Sequence, residues 1–295
     1  MKGAENVKPV AFRYHAPTDV REAIGLLDEA GFGGKVLAGG QSLVPMMNFR
    51  LARPEVLVDV SRISALRGVR REPDGLAIGA TTTHEALLTD EVVGREWPVM
   101  RAAAALIGHW GIRVRGTIGG SVAHADPAAE WPAVLAALGS EAVVEGPAGV
   151  RRVSLDDLIV GPLTTVLEPA ELVTGFKIPA AAADVRAGIY ELARRPGDFA
   201  LVGAVAVRRG TDVTFTWFGL GTRFQSRTVA RFADLEAAEQ TRALEDLGPT
   251  LEAESDLHAS RAWRQRVAAV VAERAYRALE DDGGLKAAER SGLSV

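Results

Sequence analysis

The stretch VLAGGQSLVPMMN at residues 36–48 constrains the fold more than any other, because it reads as a short buried strand, a glycine turn and the start of a helix. Ala38 leads into Gly39 and Gly40, where no side chain blocks a ligand and positive φ costs little. Gln41 and Ser42 supply polar groups where the helix opens, and Ser42 is the expected N-cap ahead of the apolar run that starts at Leu43. Such a turn aims free backbone N–H groups at one point, and the helix dipole behind them favours an anion there. A second turn of the same chemistry, GTIGGS, occupies 116–121 and brings Thr117, Ile118, Gly119, Gly120 and Ser121. Two glycine cradles in one chain fit two linked phosphates better than one. The expected ligand is a nucleotide pyrophosphate, above all a flavin's.

Around these turns the chain alternates strand and helix. Residues 10–60 read as a β-α-β-α-β unit, with a helix over 19–29 closed by the glycines at 31–34. Two strands flank the turn Pro73-Asp74-Gly75, and Thr82 to Glu85 carries capping-box spacing, which makes His84 a structural residue. A second, alanine-rich helical run covers 97–109. Arg113 and Arg115 alternate around Val114, so on a strand they share one face, either to hold an anion or as a solvated edge. Asp126 begins a further helix that carries Glu130 and runs to Leu138. Carboxylates near a phosphate turn repel the phosphate and suit neutral hydroxyls, so a ribose is the natural partner for one of them. The alanine-rich joint at 180–184 marks a domain boundary, giving domains at 1–179 and 180–295. The second is expected to hold three strands, over 187–193, 201–208 and 212–219, covered by helices over 232–247 and 262–279.

Composition excludes several function classes. A chain of 295 residues with 47% hydrophobic and 24% charged residues is an ordinary soluble globular protein. Its net charge of −4 gives no reason to expect nucleic acid or an anionic membrane as partner. With no cysteine there is no disulfide, no thiolate metal site and no cysteine-held iron–sulfur cluster. The five histidines show no metal-ligand spacing; His124, three residues after Ser121, is expected to touch the ligand. Neither a signal peptide nor an apolar run long enough to span a membrane is present, so a cytoplasmic location is the expectation.

The first turn is neither the Rossmann G-x-G-x-x-G nor a P-loop. A competing reading takes the second turn as a nucleophile elbow, with Ser121, Asp198 and His258 in the chain order of a serine hydrolase. That elbow lacks its last glycine, and His258 lies in a charged stretch.

AGGQSLVPMMNFRLARPEVLVDV at 38–60, GTIGGSVAHADPAAEWPAVLAALGS at 116–140 and RRPGDFALVGAVAV at 194–207 together resemble the FAD-binding medium subunit of the molybdenum hydroxylases, over nearly the whole chain. The resemblance implies an α+β fold, with an FAD-binding domain of the vanillyl-alcohol-oxidase (PCMH) type followed by a smaller α/β domain. It places Ala38 to Leu43 and Thr117 to Ser121 at the pyrophosphate, and Asp126 and Glu130 at acidic positions beyond it, Glu130 toward the ribose. Val173 matches an apolar position near the flavin, and Tyr190 lies where the family brings a residue toward the isoalloxazine. Val114 stands where the family has Asn, Glu191 where a Lys is common, and Trp110 and Trp131 where smaller residues occur. The implied cofactor is a non-covalent FAD, with the molybdenum cofactor and 2Fe–2S clusters on partner chains. The implied partners are an iron–sulfur small subunit and a molybdenum large subunit in a dimer of heterotrimers. Electrons would then reach the flavin singly and leave to a terminal acceptor, with no catalytic acid or base on this chain. The tail from Asp281 and the helix carrying Trp263, Val267, Val270 and Val271 are candidate docking elements. A free-standing FAD oxidoreductase of the same fold is the alternative.

Overall fold

The computed structural model describes residues 8–284. Strand β1 (Arg13–His15), helix α1 (Val20–Ala30), strand β2 (Gly34–Leu37), helix α2 (Leu43–Asn48) and strand β3 (Val56–Asp59) form the expected β-α-β-α-β unit. The three strands are parallel, with β3 between β1 and β2. The order follows from polarity: Val56, Leu57 and Val58 are all buried, as a central strand requires, whereas β1 and β2 keep exposed positions suited to edges. The Asp19 carboxylate accepts from the Glu22 N–H at 2.9 Å and starts α1, whose Ala23, Ile24 and Leu27 form one buried face.

The second layer is a five-stranded antiparallel sheet. In chain order it takes β4 (Val69–Glu72), β5 (Gly75–Gly79), the helices α3 (His84–Thr89), α4 (Glu91–Glu96), α5 (Pro98–Leu106), α6 (Trp110–Arg113), α7 (Ile118–His124) and α8 (Glu130–Ala137). Strands β6 (Glu141–Gly146), β7 (Gly149–Ser154) and β10 (Leu172–Pro179) complete it, with the short helix α9 (Leu155–Leu158) and a separate two-stranded hairpin, β8 (Ile159–Gly161) and β9 (Thr164–Thr165), between β7 and β10. The sheet order is β4-β5-β10-β6-β7, so the last strand inserts at the centre, and its Phe176 and Ile178 are buried there. Helix α5 starts on Pro98 at its first turn, where the missing N–H costs nothing, and its Ala102, Ala103, Ala104 and Ala105 are all buried. Alanine on every side lets neighbouring elements approach from all directions.

Two local expectations change. The helix after β5 is capped by Thr83, whose hydroxyl accepts from the Ala86 N–H at 3.2 Å, one residue later than the capping box read from Thr82. The segment carrying Arg113 is helix α6 rather than a strand, so Arg113 and Arg115 do not share a strand face. Arg113 is 4% exposed and its Nε donates to Glu85 Oε2 at 2.9 Å, so it ties α6 to α3. A strand pattern and a one-turn helix give the same alternation over so few residues.

Residues 180–185 lead to a second sheet, β11 (Arg186–Ala193), β12 (Ala200–Arg209), β13 (Asp212–Phe218) and β14 (Gln225–Val229), ordered as a meander and covered by α10 (Ala237–Leu247) and α11 (Arg261–Arg277). Three strands are expected from the sequence; four are present. QSRTV has no apolar run to announce the fourth, which is an edge strand held by hydroxyl pairs, Thr214 with Thr228 and Thr216 with Ser226, each at 2.9 Å.

Alternation along this sheet sorts its two faces. Ala187 and Ile189 join the core of the first domain, while Tyr190 and Leu192 pack with α11. Helix α11 buries Ala268, Val271, Ala272 and Ala275 against its own sheet, with Trp263 and Val267 partly buried there. Its apolar face is thus committed within the domain, and Val270 is the member left 45% exposed. The other candidate docking element, the tail, falls outside the described residues beyond 284. Gly188 permits the close approach of α11, since a Cβ there would lie 2.5 Å from the Ala275 carbonyl oxygen. Gly188→Val is expected to lower stability by about 1–3 kcal/mol, seen as an earlier midpoint in urea; an unchanged midpoint would show that the helix has room to lift.

Candidate functional site

The first glycine turn leaves β2 at Leu37 and enters α2 at Leu43. Gly40 has φ 73°, in the region glycine adopts without strain. Gly39 lies against the second turn so closely that a Cβ would come 2.1 Å from the Arg115 carbonyl oxygen and 2.8 Å from Gly116 Cα. The earliest N–H of this segment to bond inside the chain is that of Val44, which donates to the Gly40 carbonyl at 3.1 Å. Among the described residues nothing accepts from the N–H groups of Gly40, Gln41, Ser42 or Leu43. Four consecutive free donors leave this turn an anion-binding surface. The Gln41 side chain folds back, its Nε2 donating to the Gly39 carbonyl at 2.9 Å, which stiffens the loop. Ser42 is already helical in φ and ψ and makes no side-chain cap, contrary to the N-cap expected, so its hydroxyl is not spent on the helix.

The second turn is built differently. Thr117 is a true cap, accepting from the Gly120 N–H at 3.1 Å. The N–H groups of Ile118 and Gly119 donate to the carbonyls of Thr82 and Ala80 at 3.1 and 2.9 Å, and that of Ser121 to the Thr117 carbonyl at 3.0 Å. Its glycines serve close packing: a Cβ on Gly119 would meet Ala80 Cβ at 2.6 Å, and one on Gly116 would meet His84 Nε2 at 2.6 Å. The expectation of two equivalent cradles is therefore corrected. One turn presents free donors, and the other, whose donors are engaged, braces it through Gly39 and through Gly120, which faces Ala38.

Beneath the brace lies His84, 5% exposed, whose Nδ1 accepts from Trp131 Nε1–H at 2.9 Å. Burial, with the nearby Arg113 charge adding to it, pushes the imidazole down to about 3, so the ring is neutral. The structural role expected for His84 is the one it has, and the indole of Trp131 is what fixes its tautomer.

The remaining site residues divide. Val173 is buried in β10 next to Thr174, whose carbonyl accepts from the Ala80 N–H at 3.1 Å, and Ala80 in turn holds Gly119. Val173 itself is a buried member of the core of the first domain. Ser121 and His124 lie partly exposed on α7, and Asp126 closes the following loop by accepting from the Ala128 N–H at 2.9 Å. Tyr190 points away: its hydroxyl accepts from Arg274, whose guanidinium also sits 4.9 Å above its ring. The neighbour Glu191 faces the first domain, with its Oε2 closed off from solvent and lacking a hydrogen-bond partner. Glu130, only 7% exposed, is buried near it rather than offered at a rim. Burial raises the carboxyl of each; Asp126 adds to the rise at Glu130, and Glu130 to that at Glu191. The turn alternation of β11 could have revealed Glu191, since it shares parity with Ala187 and Ile189.

The hydrolase constellation does not assemble. A His258 ring nitrogen lies 3.2 Å from Arg194, and no hydrogen bond joins Ser121, Asp198 and His258 among the described residues. No group of three or more His, Asp or Glu among the described residues is placed to hold a metal ion. A cleft of about 420 Å³ does exist, lined by Leu76, Ser140, Arg152, Leu155 and Lys177 among others, but no residue of either turn contributes to it.

Free donors on a glycine cradle, braced by a second glycine turn and followed by a separate antiparallel domain, define a two-domain nucleotide-binding protein of the flavoprotein type. The sequence profile described as FAD binding domain in molybdopterin dehydrogenase matches residues 10–181. The chain belongs to that family. It is 41% identical over 201 residues, 68% of each chain, to the 6-hydroxypseudooxynicotine dehydrogenase complex subunit alpha of Paenarthrobacter nicotinovorans. It is likewise 41% identical over 206 residues, 70% of this chain and 72% of the other, to the carbon monoxide dehydrogenase medium chain of Hydrogenophaga pseudoflava. A chain in the crystal structure of quinoline 2-oxidoreductase from Pseudomonas putida 86 superposes with a TM-score of 0.86 at 33% identity, covering 93% of this chain and 99% of that one. Among the described residues no helix is long and apolar enough to cross a membrane.

Proposed function

We propose that this chain is the FAD-carrying electron-transfer subunit of a molybdenum-containing hydroxylase, fed by an iron–sulfur subunit and discharging to a terminal acceptor. The observation that carries it is the run of free N–H donors from Gly40 to Leu43 on a turn held against the second turn so closely that any Cβ at Gly39 would meet the Arg115 carbonyl. A diphosphate is the ligand such donors suit. The bound flavin supplies the ability to accept electrons singly and release them in pairs.

The chain's own residues then bind and orient. Ala38, Gly39, Gly40, Gln41, Ser42 and Leu43 hold the pyrophosphate, with the Ser42 hydroxyl available as a further donor. Thr117, Ile118, Gly119, Gly120 and Ser121 fix the shape of that cradle, and Ser121 and His124 offer polar groups along its edge. Asp126, more open than Glu130, takes the ribose hydroxyls. Val173 holds an apolar wall in place. With no cysteine in the chain and no histidine in either glycine turn, the cofactor is expected to be held non-covalently. The names of the relatives, a dehydrogenase complex subunit and a medium chain, support a working assembly of several subunits. The partners proposed for this chain are a molybdenum large subunit and an iron–sulfur small subunit, in a dimer of heterotrimers.

Stopped-flow reduction tests the reading. The organic substrate of the complex is expected to bleach the flavin band only when the partner chains are present, and acid is expected to release FAD intact. Fast, direct reduction of the isolated chain by substrate would instead identify a free-standing oxidoreductase.

A further inference from the structure

We propose that the end of α2 and the loop after it form the docking face for the iron–sulfur chain that feeds the flavin, a partner whose matching face has an apolar centre and an acidic border. The inference rests on the proposed function and names the surface of this chain that the electron donor meets. Val44, Phe49 and Leu51 are exposed here, the last two at 73% and 76%. Pro45, also exposed, lies four residues before Phe49 and so on the same side of the helix. Leu51 folds back over the last turn, where its N–H and that of Ala52 donate to the Met46 carbonyl at 2.8 and 3.2 Å.

This loop is held firmly. The Phe49 N–H donates to the Pro45 carbonyl at 3.0 Å and the Arg50 N–H to that of Met47 at 2.9 Å, which with the bond from Leu51 to Met46 makes a Schellman close of the helix. Its left-handed position, ordinarily a glycine, is occupied by Arg50 at φ 56°. The residue that follows commonly packs on the helix it closes, whereas Leu51 stays open to solvent. A strained backbone thus fixes two large apolar side chains in water, which weakens the isolated fold and suits a contact.

Charge and place together select the occupant. Arg50 Nε donates to the Lys8 carbonyl at 3.3 Å and Arg53 Nε to the Arg50 carbonyl at 3.0 Å, so three cationic residues gather around Phe49 and Leu51. Residues 30–54 contain no carboxylate, and neither Lys8 nor Arg53 is paired with one among the described residues. An apolar centre edged by arginine is the make-up of a protein interface, and its positive border calls for acidic groups opposite. A second copy of this chain would bring the same cations to the same place, which disfavours self-association through this face. Helix α2 carries the free N–H groups at its first turn and Phe49 just past its last, and its six residues span about 9 Å. A chain seated on Phe49 and Leu51 therefore lies beside the cofactor, where the subunit that delivers electrons must be and a subunit that only oxidises substrate need not.

Photocrosslinking in the full complex tests the occupant. With Phe49 replaced by p-benzoylphenylalanine, irradiation is expected to join this chain to the iron–sulfur chain; an adduct to the molybdenum chain, to a second copy or to nothing overturns the inference. Leu51→Glu sets a carboxylate against the acidic border and is expected to lower iron per flavin in the purified complex at least tenfold, with flavin per chain unchanged. Iron per flavin at the wild-type level in that variant also overturns the docking face. A wild-type complex that holds flavin but no iron would sink the proposed function itself, so the iron content of the wild type tells the two failures apart.

Discussion

Gly39→Ala is expected to empty the proposed flavin site while leaving most of the fold standing. The new Cβ would lie 2.1 Å from the Arg115 carbonyl oxygen, 2.7 Å from its carbon and 2.8 Å from Gly116 Cα, all backbone atoms with no flexible side chain to yield. The two turns must part, and the donors from Gly40 to Leu43 then lose the surface that holds them. A loss of at least about 100-fold in FAD affinity, roughly 2.7 kcal/mol, is the expected scale. Gly40→Ala meets only the tips of Val44 and Leu37, at 3.1 and 3.3 Å, and its burden is the positive φ, about 1–2 kcal/mol. Flavin-to-protein ratios of the purified variants measure both, with far-ultraviolet circular dichroism as the folding control. Wild-type occupancy in Gly39→Ala would falsify the cradle; the reverse order of severity would show that backbone conformation matters more than contact between the turns.

The second large effect is acid lability centred on His84. Its imidazole titrates near 3 in the folded chain against an ordinary value of 6.5, so the unfolded chain binds the proton that the folded one refuses. The stabilisation is complete above pH 6.5 and disappears as pH falls toward 3. The slope approaches about 1.36 kcal/mol per pH unit, and the whole effect is at most roughly 4–5 kcal/mol. His84→Asn keeps an acceptor for the Trp131 indole and removes the titration, so its unfolding midpoint is expected to change less between pH 6.5 and 4 than that of the wild type. Urea titrations across that range measure it; parallel curves would place the acid sensitivity elsewhere.

The main divisions of the fold were legible because each had a strong local signal. Val56 to Val58 is an unbroken apolar run, Asp19 stands at a helix start, and Gly31 stands at a helix end. What could not be read was whatever depended on a partner distant in sequence. QSRTV becomes a strand because Thr214 and Thr216 offer hydroxyls beside it, and nothing in those five residues says so. Arg113 read equally as an anion contact or a solvated edge, yet Glu85, in a different helix, claims it.

The same limit applied at the site. Both glycine turns were visible as turns, but their difference lies in where the carbonyls of Ala80 and Thr82 fall, a matter of tertiary geometry. Equal glycine content concealed unequal roles. Tyr190 and Glu191 show it most simply, since adjacent residues on a strand face opposite ways and the domain cores decide which way is inward.

The internal bonding of the second turn bears on how the cofactor enters. Because Ile118, Gly119, Gly120 and Ser121 already spend their donors on the chain, that half of the cradle is rigid before any nucleotide arrives. Loading then carries little ordering entropy, which is the usual drag on capture by a loop that must be shaped by its ligand. On the proposed function the apoprotein is expected to fold first and be charged with flavin afterwards, at a rate set by encounter and desolvation rather than by rearrangement of the turn.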